Sequence, residues 1–286
     1  MPSSFGIRLA DAFVAHGQLC VGVDPHSALL EDWGLSDDVA GLESFSNTVI
    51  DEASGRVGII KPQVSFFERF GSKGFAVLEA VCERATQAGL LVIMDIKRGD
   101  IGSTMDGYFE AWLGQSAPFI CDAVTVSPYL GFDSLKPFMA AATERGKGVF
   151  VLAATSNPEA AVLQQAMVTE ESSVAASVWA GLESVNNITA LPGQSIGNFG
   201  AVLGATLNLN RFGLGQVTTT AQPVATPILA PGFGAQGARL ADAGRLFGVA
   251  AHQTIASVSR SVLQAGALGL DTAIDQAKQE LAEGLA

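Results

Sequence analysis

The feature that most constrains the fold of this 286-residue chain is a regular alternation of short apolar runs with longer stretches of helical periodicity. The short runs are rich in β-branched residues, and most are apolar throughout, as is typical of parallel strands covered on both faces. Eight such runs predict β-strands, at residues 19–24, 58–64, 91–97, 123–127, 148–155, 200–206, 227–231 and 254–259.

Between and around these runs, apolar residues recur at helical spacing. Asn157 is a candidate N-cap followed by Pro158 at the first helical position, and Asp271 is a second candidate N-cap. The acidic residues at 31–38 are interpreted as a solvated loop. The pattern predicts helices over residues 7–15, 72–88, 158–168 and 271–285, the first of which would cover the bottom of a barrel.

Eight strand–helix alternations predict an α/β fold, a (β/α)8 TIM barrel that forms a single domain over residues 1–286. This fold typically occupies roughly 250 residues. A doubly wound open sheet is the alternative, but no GxGxxG motif follows the first apolar run. Residues 207–226, rich in glycine, threonine, asparagine and glutamine, are interpreted as a long connection that can be partly helical.

Charge and cysteine usage exclude several classes of function. The net charge of −12 argues against nucleic acid or an anionic membrane as a partner. The three cysteines lack CxxC spacing, which predicts free thiols in a cytoplasmic protein and no zinc site. No apolar run approaches the roughly 18 residues needed to cross a bilayer.

Polar residues stand at the carboxyl ends of most predicted strands, where the active site of such a barrel lies. Asp95 and Lys97 are two residues apart on one strand, so their side chains should share a face, and Asp100 follows just beyond. A lysine between two carboxylates keeps its positive charge, which suits a proton donor rather than a Schiff-base nucleophile. A structural ion pair at the barrel mouth is the competing interpretation, which Lys61 and Asp24 on the preceding strands make less favourable.

Five motifs, each at the end of a predicted strand, carry a resemblance to a known family. They are IIKPQ at 59–63, DIKRGD at 95–100, VSPYLG at 126–131, TSNP at 155–158 and PGFGAQG at 231–237. In this order they resemble the orotidine 5′-phosphate decarboxylase family, in its longer bacterial branch. The resemblance implies conversion of orotidine 5′-monophosphate (OMP) to uridine 5′-monophosphate (UMP) and CO2, the last step of de novo pyrimidine biosynthesis, without cofactor or metal.

The same resemblance implies roles for individual residues. The catalytic residues would be Lys61, Asp95, Lys97 and Asp100. Lys97 would stabilise a carbanion at C6 of the pyrimidine and then protonate it. Asp100 would reach the active site of a neighbouring subunit together with Ile101 and Thr104, which makes the expected enzyme a homodimer with shared sites.

The remaining implied roles concern substrate binding. Asp24 and Lys61 would bind the ribose hydroxyls, and Ser156 would bind the pyrimidine. Gln236 and Arg260 would hold the phosphate. The sequence departs from the family at Ser259, where many relatives have a glycine.

Two other functions stay open on the residues alone. A metal-dependent sugar-phosphate decarboxylase or aldolase can share the DxKxxD motif, but it would need a carboxylate where Lys61 stands. A non-catalytic barrel that binds phosphorylated metabolites is the second alternative. It would have no use for a lysine flanked by two carboxylates.

Overall fold

The computed structural model describes residues 3–286, in which eight parallel strands form one closed barrel in sequence order. β1 closes the barrel against β8 through the pairs Leu19–Ala256 and Val21–Val258. All eight predicted strands are confirmed, with ends that differ by at most three residues. The strands are β1 (Leu19–Val23), β2 (Ile59–Pro62), β3 (Leu91–Arg98), β4 (Ala123–Val126), β5 (Gly148–Ala154), β6 (Phe199–Leu203), β7 (Ile228–Pro231) and β8 (Thr254–Val258).

Helices follow the strands and cover the barrel from outside, which confirms the (β/α)8 prediction. The α-helices are α1 (Phe5–His16), α2 (Ser27–Asp32), α3 (Val39–Ala53), α4 (Ser65–Glu68), α5 (Gly71–Gln87), α6 (Gly102–Trp112), α7 (Lys136–Glu144), α8 (Ala160–Gln164), α9 (Val174–Thr189), α10 (Ala243–Phe247), α11 (Arg260–Leu263) and α12 (Leu270–Leu285). Short 3-10 helices lie at Phe132–Leu135, Leu209–Phe212, Gly215–Thr218, Leu240–Asp242 and Gly248–Gln253. Two of them lie in the 207–226 connection, which is therefore partly helical as predicted.

The amino-terminal end of the barrel is filled by apolar side chains. The hydroxyl of Ser4 caps α1, and Phe5 and Leu9 from this helix pack against barrel residues that include Ile93 and Phe150. The helix therefore covers the bottom of the barrel, as the sequence predicted. Burial of this apolar layer leaves the opposite end, at the carboxyl ends of the strands, as the place for polar groups.

The predicted helix over residues 158–168 is wrong in length. Only α8 is helical there, and Asn157 does not cap it, because the Asn157 amide donates to Glu159 and its oxygen accepts from the hydroxyl of Thr155. The chain then turns back, and the Val174 N–H donates to the carbonyl of Ala166 at the start of α9. Side-chain hydrogen bonds within the turn thus replace a longer helix.

The acidic residues near two helix ends have structural positions that differ from those predicted. α12 begins one residue earlier than expected, with Gly269 at the N-cap, and Asp271 lies in its first turn, where a negative charge is favourable. The 31–38 segment is not a simple loop, because its first two residues end α2 and Asp38 caps α3 by accepting from the Gly41 N–H. Asp37 forms an ion pair with Arg69.

Within residues 3–286, no helix is both long and apolar enough to span a membrane.

Candidate active site

The centre of the candidate site is the carboxylate of Asp95, which lies in β3 near the barrel mouth and is 8% exposed. Its Oδ2 accepts from Lys61 Nζ at 3.2 Å and from Gln63 Nε2 at 3.1 Å. Its Oδ1 accepts from Lys97 Nζ at 2.5 Å and from Thr125 Oγ1 at 2.8 Å. Four donors from three adjacent strands and their ends therefore fix this carboxylate in one position, and two of the donors are ammonium groups.

The strand that carries Asp95 and Lys97 is irregular. β3 pairs regularly with β4 as far as Met94–Val124, but the next pair is Arg98–Val126, so two additional residues of β3 lie between them. Lys97 has a φ of 48° and is the only non-glycine residue between 3 and 286 with a positive φ. Such a conformation is uncommon for a residue with a side chain and costs of order 1–3 kcal/mol. The side chains of Asp95 and Lys97 contact each other, as their spacing predicted, but a bulge, rather than simple alternation along a regular strand, brings them together.

The electrostatics of the centre favour the charged forms of Asp95 and Lys61. Burial alone would raise the pKa of Asp95, but the charges of Lys61 and Lys97 and the hydrogen bonds from Lys97 and Thr125 outweigh it and lower this pKa from 3.8 to about 2. Burial alone would lower the pKa of Lys61, which is 7% exposed, but the carboxylates of Asp95 and Asp24 hold it above its ordinary value. The carboxylate and the buried ammonium thus stabilise each other's charged forms.

Asp24, just after β1, carries an unsatisfied buried acceptor. Its Oδ2 accepts from the hydroxyl of Ser259 at 2.5 Å. Its Oδ1 is the only buried side-chain oxygen or nitrogen within residues 3–286 that has no hydrogen-bond partner. A buried acceptor without a partner is costly, so this oxygen is suited to accept from a hydroxyl of a bound molecule. Ser259, which departs from the family pattern, therefore orients Asp24 directly.

A cavity of about 140 Å³ adjoins these groups on the β7–β8 side of the mouth. Asp24, Lys61, Gln236 and Arg260 line it, together with the backbone that follows β7. Arg260 is exposed, and no ion pair within residues 3–286 includes it. Ser156, after β5, donates to Gln236 Oε1 at 2.9 Å, so two residues with separate predicted roles contact each other.

The loop after β7 has a path that depends on glycine, because Gly232 and Gly237 have φ of 114° and 104°. Within the loop, the N–H groups of Gly234, Gly237 and Ala238 donate to backbone carbonyls of the same segment. Across residues 3–286, the N–H groups of Ala235 and Gln236 have no such backbone acceptor. These two amides are thus available to an anion that enters the cavity.

Asp100, Ile101 and Thr104 do not join the central array within one chain. Among residues 3–286, Asp100 forms no ion pair, and its carboxylate accepts from the Ile101 N–H. Ile101 and Thr104 are exposed. The four expected catalytic residues would alternate in charge as Lys61–Asp95–Lys97–Asp100. Within this chain the array contains only the first three, so a carboxylate lies between two lysines rather than a lysine between two carboxylates.

Two residues of the centre received no role from the sequence: Gln63, although it ends the IIKPQ motif, and Thr125, which was not singled out from the sequence. Thr125 is a polar residue inside the apolar run of β4. That position was the available signal, since a hydroxyl inside a buried strand needs a partner. Within residues 3–286, no cluster of three or more histidine, cysteine or acidic side chains is placed to hold a metal ion.

Comparison with known proteins gives concordant matches along nearly the whole chain. The model of the orotidine 5′-phosphate decarboxylase / HUMPS family matches residues 17–269. An orotidine 5′-phosphate decarboxylase of Streptomyces coelicolor is 50% identical over 280 residues, which cover 97% of this chain and 96% of the relative.

Solved structures agree with the sequence match. A Streptomyces avermitilis crystal structure, described as an orotidine 5′-phosphate decarboxylase, has a TM-score of 0.91 and 49% identity, covering 99% of this chain and 96% of that one. The structure of Leishmania donovani OMP decarboxylase has a TM-score of 0.72 and 27% identity, covering 99% of each chain.

Proposed function

The chain belongs to the orotidine 5′-phosphate decarboxylase family, and we propose that the charged barrel mouth around Asp95 is where it carries out the family's reaction. The enzyme converts OMP to UMP and CO2 in pyrimidine biosynthesis. The observation that carries the proposal is the contact between Lys97 Nζ and a carboxylate that Lys61 holds from its other side. A proton donor at the position of Lys97 would lie beside fixed charges at the strand ends of the barrel.

Lys97 is the proposed proton donor. When the bond between C6 and the carboxylate breaks, the electron pair stays on C6, CO2 leaves, and the ammonium of Lys97 stabilises the developing charge. Nζ then transfers a proton to C6, which gives UMP and a neutral amine, and a proton from water restores the ammonium. The side chain of Lys97 is 44% exposed in the free enzyme, so its amine can reach both substrate and solvent.

Asp95 and Lys61 act on Lys97 through position and charge. Asp95 holds Nζ of Lys97 at 2.5 Å and places a negative charge beside it. Lys61 is buried on the other side of the same carboxylate, so it fixes Asp95 and can also donate to a ribose hydroxyl. A site whose charges are fixed in advance needs little reorganisation during the reaction.

The cavity beside the array is the proposed site for the rest of the nucleotide. Asp24 Oδ1 would accept from a ribose hydroxyl, which would satisfy its missing hydrogen bond. Arg260 and the free amides of the loop after β7 would hold the phosphate, and Gln236 would join them. Ser156 would then exchange its hydrogen bond with Gln236 for one with the pyrimidine.

A homodimer with shared active sites is also part of the proposal. Asp100 does not contact Lys97 of its own chain. Apolar side chains after β3 and β4 are exposed: Ile101 by 59%, Tyr129 by 75% and Leu130 by 53%. Exposed apolar side chains grouped beside a site favour contact with another chain. The partner's Asp100 would then reach Lys97 and complete the alternating array, with the partner's Ile101 and the partner's Thr104 beside it.

The three buried free cysteines are consistent with an enzyme that works in the reducing cytoplasm.

The direct test is the loss of OMP absorbance in wild type and Lys97→Ala, each with and without a chelator. Removal of the proton donor should lower kcat by several orders of magnitude, on the order of 10³-fold or more, because both charge stabilisation and proton transfer are lost. Wild-type turnover should not change with the chelator. Unchanged turnover in Lys97→Ala would exclude the proposed role of this lysine.

Mixed dimers test the shared site. Lys97→Ala and Asp100→Ala subunits should each be inactive alone, because each homodimer lacks one required group in both sites. Heterodimers contain one site with both groups intact, so refolded mixtures should recover about a quarter of wild-type activity under random pairing. Recovery that stays at the level of the separate variants would contradict sharing across the interface. Sedimentation of the mixture checks that dimers have formed.

A further inference from the structure

We propose that Thr125 is a positioning residue that holds Lys97 and Asp95 together in the geometry the reaction requires. The inference deepens the proposed function and rests on the proposed role of Lys97 as proton donor. Thr125 contacts both residues at once, since its hydroxyl donates to the Asp95 carboxylate (Oδ1) at 2.8 Å and accepts from the backbone N–H of Lys97 at 3.0 Å. Both hydrogen bonds are of ordinary length.

The bulge in β3 creates the need for such a residue. Between the pairs Met94–Val124 and Arg98–Val126, the backbone of β3 does not follow the ladder of β4. In a regular parallel ladder the Lys97 N–H would donate to a neighbouring strand's carbonyl, but here its acceptor is the side chain of Thr125. The ladder resumes only where the Ser127 N–H donates to the Arg98 carbonyl. Thr125 therefore replaces the missing backbone partner at the residue that carries the proton donor.

The backbone conformation of Lys97 makes this anchor consequential. A φ of 48° is unfavourable for lysine and persists only where surrounding contacts enforce it. The contacts available to enforce it are the hydrogen bond of its N–H to Thr125 and that of its Nζ to Asp95. Without the hydroxyl, the backbone can relax toward a regular strand, and that relaxation would move Nζ away from C6.

Burial and rotamer preference suit Thr125 to the task. The residue is 1% exposed in β4, and a β-branched side chain in a strand has few rotamers, so its hydroxyl has a fixed direction. One hydroxyl can donate once and accept twice, which allows both observed bonds at the same time. Valine has the same shape but can do neither. Thr125→Val therefore removes the two hydrogen bonds and changes little of the packing.

The experiment compares kcat, KM for OMP and inhibition by UMP in wild type, Thr125→Val and Thr125→Ser. Because a displacement of about 1 Å at a reacting group can cost roughly 10²-fold, Thr125→Val should lower kcat by about 10- to 100-fold. KM and the inhibition constant of UMP should stay within about threefold, since the proposed ribose and phosphate contacts remain intact. Thr125→Ser should recover most of kcat because it restores the hydroxyl.

A matched control is Thr254→Val at the opposite end of the barrel. Thr254 is also a buried barrel threonine, and its hydroxyl donates to the Ala250 carbonyl. Its replacement should lower the melting temperature without a comparable loss of kcat. An equal loss of kcat in Thr254→Val, or a loss of UMP inhibition in Thr125→Val that matches the loss of kcat, would assign Thr125 a merely structural role and overturn the inference.

The remaining outcomes separate this inference from the proposed function. Wild-type kcat in Thr125→Val, with Lys97→Ala inactive, would overturn the role of Thr125 and leave that of Lys97 intact. Activity in Lys97→Ala would overturn the role of Lys97 itself. If Thr125→Val does not fold, Thr125→Ser and Thr125→Ala form a second pair that differs only in the hydroxyl. Equal kcat in that pair would overturn the inference.

Discussion

The two sides of the barrel mouth differ in how completely their polar groups are satisfied. On the β2–β4 side, Asp95 is buried and accepts from four donors, two of which are lysine ammonium groups. On the β5–β8 side, Arg260 and Gln236 are exposed, and Asp24, which follows the adjoining strand β1, keeps one buried oxygen without a partner within residues 3–286. The first side is complete without substrate, whereas the second has hydrogen-bonding capacity left for a ligand.

This difference separates the groups proposed for chemistry from those proposed for binding. Fixed charges near the reacting carbon lower the barrier only if they need no rearrangement during the reaction. Groups that hold a phosphate can instead be brought into place as the substrate binds, and part of that binding energy can be directed to the transition state. Variants on the β2–β4 side should therefore lower kcat, whereas variants on the β5–β8 side should chiefly raise KM.

Among the variants that test this difference between the two sides, Asp95→Asn should lower kcat the most. The substitution keeps the shape of the side chain but leaves Lys61 and Lys97 without their shared counter-charge. We expect kcat to fall by about 10³-fold and the free energy of unfolding to fall by about 3–5 kcal/mol, the typical cost of breaking a buried ion pair.

Steady-state kinetics and denaturant unfolding measure the two effects of Asp95→Asn. Asp122→Asn is a matched control, because this half-buried carboxylate accepts from the Val92 N–H and pairs with Arg8 at the other end of the barrel. It should lose stability but keep kcat. A normal kcat in Asp95→Asn would remove the distinction between the two sides.

A smaller effect is expected for Arg260→Ala on the β7–β8 side. Loss of a charged hydrogen bond to phosphate typically costs about 1.5–3 kcal/mol, which corresponds to roughly a 10- to 100-fold loss in kcat/KM. Most of this loss should appear as a higher KM, and saturating OMP should restore much of the turnover. Addition of free guanidinium offers a second check, because it should recover part of the activity. A loss confined to kcat would place Arg260 with the chemical groups instead.

The lowered pKa of Asp95 predicts how the free energy of unfolding changes in acid. Because this pKa is about 2 in the folded protein against 3.8 ordinarily, Asp95 stabilises the fold at neutral pH. That contribution, on the order of 2 kcal/mol, is fully present above about pH 4–5 and is lost as the pH falls toward 2. Urea unfolding from pH 6 to pH 3 should therefore show a steeper loss of stability in wild type than in Asp95→Asn. Parallel pH dependences would contradict the described ionisation.

The smallest expected effect is that of Ser259→Ala. This change frees Asp24 Oδ2 from its hydrogen bond without altering the charge of the site. The lost hydrogen bond acts on the substrate only through the position of Asp24, so its effect should be about 1 kcal/mol, and KM should rise by roughly fivefold while kcat stays nearly constant. Initial rates over a range of OMP concentrations measure both quantities. A drop in kcat with an unchanged KM would show that Asp24 belongs with the catalytic side.

The sequence predicted the fold and the cluster of Lys61, Asp95 and Lys97 on β2 and β3 (the β2–β3 centre), because both depend on local patterns. Apolar runs marked the eight strands, and the spacing of Asp95 and Lys97 indicated a shared face. The bulge could not be predicted, because it depends on how β3 pairs with β4 far along the chain. Thr125 was missed for the same reason, since its two partners become neighbours only in the barrel.

Loops were predicted less well than strands. The helix over 158–168 was overestimated because side chains such as Asn157 can bond within a turn as well as cap a helix. The contact between Ser156 and Gln236 joins residues 80 positions apart, and no periodicity in the sequence encodes it. The β5–β8 side therefore depends more on tertiary contacts than the β2–β3 centre does.

The central claim is that the β2–β4 side is complete before substrate binds and the β5–β8 side is not. Crystal structures of the free enzyme and of its UMP complex test it most directly. The contacts of Asp95 with Lys61, Lys97 and Thr125 should be the same in both structures, within about 0.5 Å. In the UMP complex the Ser156–Gln236 hydrogen bond should break, and Gln236 and Arg260 should contact the phosphate. A free enzyme in which Lys97 lies away from Asp95 would contradict the account.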